Sequence, residues 1–120
     1  MFVNPAIGTT NGTFDIRYSI FWKKLATIKL MVARKFLISG QVQGVGYRFF
    51  AQRSSAAHQV RGYVRNLADG RVEVLAEGNA GAVEAFRHDL AAGPSYSRVG
   101  NIEELVIEPS GRYSSFRIER

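Results

Sequence analysis

Apolar and polar positions alternate from Arg34 onward. Phe36, Ile38, Gly40 and Val42 fall on one side and Lys35, Leu37, Ser39 and Gln41 on the other, the period-two pattern of a strand with one buried face. The period then lengthens. Tyr47, Phe50 and Ala51 recur at helical spacing with no Gly or Pro among residues 48–59, so that stretch predicts a helix. Arg61 to Leu67 and Arg71 to Glu77 predict two more strands, the second turning Val72, Val74 and Ala76 inward. Asp69-Gly70 between them is a hairpin signal. Asn79 suits the cap of a second helix whose stripe is Val83, Phe86 and Leu90, and Gly93-Pro94 ends it. Leu105 and Ile107 indicate a fourth strand, and Phe116 and Ile118 a short fifth. The order is strand, helix, strand, strand, helix, strand, then a terminal edge strand. That predicts an α+β, ferredoxin-like split βαβ sandwich, an antiparallel sheet carrying two helices on one face.

Residues 1–33 read differently. Asn4-Pro5, Gly8-Thr9-Thr10 and Asn11-Gly12 are loop chemistry, and neither a basic n-region nor a long apolar stretch marks a secretory signal. Phe21, Leu25, Ile28 and Val32 do recur at helical spacing, which leaves a short membrane-surface or partner helix open. The plainer expectation is an N-terminal extension over 1–33, either a mobile tail or a start set upstream of Met31, with the folded domain at 34–120.

A chain of 120 residues supports one core of useful size. The formal net charge of +6 favours anionic partners, but half of that excess lies in residues 1–33, so charge alone selects no function. The absence of cysteine excludes disulfides, thiol nucleophiles and cysteine-ligated metals, and fits a reducing, cytoplasmic setting. His58 and His88 lack the third partner of a catalytic zinc, and no apolar run approaches the length of a membrane span.

The chemistry concentrates in Gly40-Gln41-Val42-Gln43-Gly44-Val45-Gly46-Tyr47-Arg48, a strand-to-helix loop. Glycines at 44 and 46 permit positive φ, so the backbone N–H groups can curl inward. The start of the following helix adds unpaired N–H groups and the positive end of its dipole. Arg48 contributes a planar fork matched to phosphate. No Walker A run is present, and a dinucleotide fingerprint begun at Gly44 fails at Phe49. Taken alone, the loop also admits a tight turn with Arg48 merely solvated. Asn66 strengthens the functional reading. A helical crossover makes strands one and two run the same way, so the end of strand two reaches the sheet edge where the glycine loop lies. A carboxamide there can accept from a water and donate to an oxyanion, although a turn residue bonding its own backbone is the ordinary role.

Two motifs carry a resemblance. Val42-Gln43-Gly44-Val45-Gly46-Tyr47-Arg48, followed by Gly62-Tyr63-Val64-Arg65-Asn66-Leu67-Ala68-Asp69-Gly70-Arg71-Val72 and Glu77-Gly78, resembles the acylphosphatase family from about Arg34 to Arg120. The resemblance implies hydrolysis of carboxyl-phosphate anhydrides to carboxylate and inorganic phosphate, without metal, cofactor or covalent intermediate. By position, Arg48 would bind phosphate, Asn66 would orient the attacking water, and the amides of Gln43, Gly44, Val45, Gly46, Tyr47 and Arg48 would line the cradle. The expected partner is a small acyl phosphate, with no nucleic acid and no membrane span, and the expected state is a monomer. His58-Gln59 departs from the leucine-like residue and glycine usual before the second strand. Tyr47 replaces a commoner phenylalanine. Both histidines are read as structural, His58 at a helix C-terminus where the dipole favours a cation.

Two other classes share the layout. An RNA-recognition module needs aromatic platforms on its third strand, whereas this one reads Val72, Val74 and Leu75. An accessory domain that has lost catalysis would not need Arg48 and Asn66, and both are present.

Overall fold

The computed structural model describes residues 31–120. The expectations for the chain before Met31, including the Phe21, Leu25 and Ile28 spacing, lie outside the described residues. The elements are β1 (Met31–Gln41), α1 (Tyr47–His58), β2 (Arg61–Asn66), β3 (Val72–Asn79), α2 (Ala80–Ala92), β4 (Arg98–Ile107) and β5 (Phe116–Glu119). The sheet order is β4-β1-β3-β2-β5. All neighbours are antiparallel except β2 and β5, which run parallel. This is the predicted split βαβ arrangement with its terminal edge strand.

Alternation places Phe36, Ile38, Val64, Val72, Val74 and Ala76 on the helix-covered face, where all are fully buried. Val83, Phe86 and Leu90 of α2 and Tyr47 and Ala51 of α1 close over them. Phe86 meets Phe116 edge-on at 5.6 Å, docking the last strand against α2. Burying each such side chain contributes about 1.5–3 kcal/mol.

Two boundaries differ from those read in the sequence. β1 starts at Met31, because Met31, Val32 and Ala33 pair with Asn79, Gly78 and Glu77 of the long β3. Val32 therefore belongs to a strand and not to a helical stripe. β4 starts at Arg98, well before Leu105. Its residues are mostly exposed along the sheet edge, so its pairing with β1 carries no apolar alternation for a sequence reader to see.

The sheet's other face buries charge. Glu77 accepts from the Ser110 amide (2.7 Å), the Ser110 hydroxyl (2.9 Å) and the Gly111 amide (2.9 Å), strapping the β4–β5 connection to β3. Glu73 accepts from the Tyr63 hydroxyl at 2.9 Å and from Arg65 Nε at 2.7 Å. Burial and that carboxylate push the Tyr63 phenol up to about 12.

The helices are stapled by one carboxylate. Asp89 Oδ2 accepts from the Ser54 hydroxyl at 2.7 Å and lies 2.8 Å from His58 Nε2. The bonds from Ser54 and then His58 hold the Asp89 carboxyl below its ordinary range. His58 thus joins α1 to α2, and His88 contacts only Glu84 of its own helix, at 3.4 Å.

Gln59 ends α1 in the left-handed region at φ 57 and ψ 40, the conformation for which the sequence departure suggested a glycine. Left-handed backbone costs a side chain that glycine does not have. Gln59→Gly is expected to stabilise the protein by up to about 1 kcal/mol, partly offset by the greater freedom of the unfolded chain, and to raise Tm by about 4 °C. Thermal melting of the two proteins checks this.

Candidate active site

β1 and β2 both run antiparallel to β3, so their C-terminal ends reach one edge of the sheet. The first end opens into the loop 42–46, just beyond a β-bulge at Ser39 and Gly40. The second ends in Asn66. Gly44 and Gly46 adopt φ 75 and φ 76, which only glycine takes without strain, and they turn the loop into the start of α1. Gly46 caps that helix without any side-chain hydrogen bond, and no acidic residue occupies its first turn. The positive end of the dipole and the leading N–H groups are therefore left uncompensated.

The loop is held before any ligand arrives. The Gln43 side-chain amide donates to the carbonyls of Leu67 and Arg71, both at 2.8 Å, tying the loop to the β2–β3 turn. That turn closes through Leu67 N–H to the Arg71 carbonyl at 2.8 Å, with Asp69 Oδ1 accepting from the Arg71 amide at 3.1 Å. Tyr47 points inward, and its hydroxyl donates to the Leu90 carbonyl at 2.7 Å. Burial pushes this phenol far up, so it stays protonated.

Between loop and strand lies a cavity of about 120 Å³ lined by Val42, Gly44, Gly46, Tyr47, Arg48, Phe49 and Asn66. Among the described residues Arg48 is its only charged lining residue, and its Nη1 donates to the Glu119 carbonyl of β5 at 3.3 Å. Asn66 Oδ1 is buried and has no hydrogen-bond partner, the one such side-chain atom among the described residues. A buried polar group in that state costs about 1–3 kcal/mol. A larger, open cleft of about 570 Å³ near the other end of α1 has, among the described residues, Arg61 as its only charged lining residue and no orphaned polar side-chain atom. Chemistry favours the smaller cavity.

Of the residues singled out in the sequence, Gly44, Gly46, Tyr47, Arg48 and Asn66 meet at this cavity. Val45 packs against the core, and Gln43 braces the loop from behind. Phe49 was missed as a lining residue. An exposed phenylalanine beside Arg48, off the stripe of Tyr47, Phe50 and Ala51, was the available signal. Among the described residues, no three His, Cys, Asp or Glu side chains gather where they could share a metal ion. No described helix is long and apolar enough to cross a membrane.

The fold and this edge define a small ferredoxin-like α+β protein with an electropositive glycine loop. Comparison with known proteins narrows the class. The acylphosphatase family model matches residues 34–118. An acylphosphatase of Koribacter versatilis is 44% identical over 86 residues, covering 72% of this chain and 78% of that protein. One from Thermus thermophilus is 52% identical over 75 residues, covering 62% and 85%. The crystal structure of acylphosphatase from Bacillus subtilis aligns with a TM-score of 0.72 at 32% identity, covering 74% of this chain and 99% of that one. The chain belongs to the acylphosphatase family, hydrolases that split acyl phosphates.

Proposed function

We propose that the backbone amides of Gln43 to Arg48, together with the Arg48 guanidinium, bind the phosphoryl group of an acyl phosphate, and that Asn66 aims the attacking water. The observation that carries this reading is the orphaned Asn66 Oδ1 in a cavity where Arg48 is the one charged residue among the described lining. Its unmet acceptor fits a water that arrives with the substrate.

The chemistry asks little of the protein beyond position and charge. The leaving group is already a stabilised carboxylate, and the phosphoryl transition state is loose, with charge spread over its equatorial oxygens. Donors preorganised toward those oxygens contribute about 3–4 kcal/mol each, by analogy with oxyanion holes. Water attacks phosphorus, the bond from phosphorus to the acyl oxygen breaks, and the pair in that bond leaves with the carboxylate. The water's proton passes to a phosphate oxygen, and no histidine is among the described residues lining the cavity.

Hydrolysis in ¹⁸O-labelled water tests this course. The label is expected in inorganic phosphate and absent from the carboxylate. Label in the carboxylate would mean attack at the acyl carbon, and the proposed roles of Arg48 and Asn66 would fall.

A further inference from the structure

Two large aromatic side chains stand in solvent beside the cavity. Phe49 is 66% exposed and forms part of its lining. Tyr96 is 55% exposed, and its ring lies 3.7 Å from where a side chain on Gly46 would begin. The turn that carries Tyr96 is fixed, since the Ser97 amide and hydroxyl both donate to the Pro94 carbonyl at 3.0 Å. Single exposed apolar residues are ordinary on protein surfaces. A phenylalanine in the lining of a small, cationic hollow, with a tyrosine beside one of its glycines, is a different matter, because each ring can exchange water for a ligand's apolar face.

The hollow's size sorts the substrate's two halves. At about 120 Å³ it takes a phosphoryl group, and a bulky acyl group extends to the mouth. There it meets Phe49 and the neighbourhood of Tyr96. Among the described residues the lining holds no cation besides Arg48, so an acyl group with its own carboxylate finds no second partner in that lining.

We infer that Phe49 and Tyr96 form the acyl-group subsite of this hydrolase and favour flat, apolar acyl phosphates over short aliphatic ones. This rests on reading the cavity as the phosphoryl site. Offset or edge-to-face contact with either ring would hold an aromatic acyl group, whereas an acetyl group would bury little of either. Phe49 thereby sets specificity next to the arginine that binds phosphate.

The test is the ratio of kcat/KM for benzoyl phosphate to that for acetyl phosphate, measured on the full chain. A comparison of ratios cancels the intrinsic reactivities of the two substrates. Phe49→Ala is expected to lower the ratio about tenfold and Tyr96→Ala roughly threefold, the scale of discrimination a hydrophobic contact supplies. Phe49→Tyr should restore it. Competitive inhibition by inorganic phosphate should stay within about twofold in all three variants, since the acyl side is not engaged. An unchanged ratio in both alanine variants, or equal losses on both substrates, overturns the subsite. Failure of the underlying site shows differently: phosphate inhibition would survive Arg48→Ala.

Discussion

Arg48→Ala is expected to lower kcat/KM for an acyl phosphate by about three orders of magnitude or more. Loss of one neutral oxyanion donor typically costs about 10²–10³, and a guanidinium adds full charge and a second donor. No other described side chain lining the cavity can substitute, because Arg48 is the one cation among them. Arg48→Lys should recover only part of the loss, since an ammonium supplies a point charge without the planar fork. The same substitution removes the bond to the Glu119 carbonyl, so melting temperatures must accompany the kinetics. A stable variant with raised inhibition constant for phosphate and collapsed turnover supports the assignment. Turnover within tenfold of the parent would remove Arg48 from the mechanism.

Asn66→Ala should separate catalysis from both binding and stability. Its kcat is expected to fall by about 10²–10³, the range for a lost group that acts at the transition state. The inhibition constant for inorganic phosphate should remain nearly unchanged, since loop and guanidinium still hold the anion. Stability should hold or rise, because the substitution removes the buried oxygen that has no partner. An inactive enzyme that melts no lower than the parent identifies a functional carboxamide. A clear drop in melting temperature, or abolished phosphate binding, would make Asn66 a structural residue.

Much of this was legible because several signals had only one local solution. Asp69-Gly70 closes the β2–β3 turn, with Gly70 at φ 94. Asn79 caps α2 as expected, its side chain accepting from the Gly81 amide at 3.0 Å. Gly44 and Gly46 take the positive φ that their spacing suggested. What stayed hidden was set by partners distant in sequence. The Gln43 side chain reaches carbonyls 24 and 28 residues away, and nothing in its neighbours announces that. The Tyr47 hydroxyl finds the Leu90 carbonyl 43 residues on, so the replacement of phenylalanine adds a bond between the loop and the end of α2. Glu73 and Glu77 alternate with the inward Val72, Val74 and Ala76, yet both are buried. Their partners come from β2 and from the connection before β5, and only the assembled sheet brings them close. At the site, the convergence of Arg48 and Asn66 followed from topology, whereas the aromatic rim needed the coordinates.

On the proposed role of Arg48, its brace ties catalysis to the order in which the chain is made. Its guanidinium leans on a carbonyl of β5, 71 residues further along, and β5 docks beside β2 and Phe86 after every other described element has been synthesised. A nascent chain emerging from the ribosome would already own the glycine loop and the carboxamide, yet its arginine would swing without support. On the proposed role of Arg48, hydrolytic competence arrives with the final strand, whose Phe116 also completes the core.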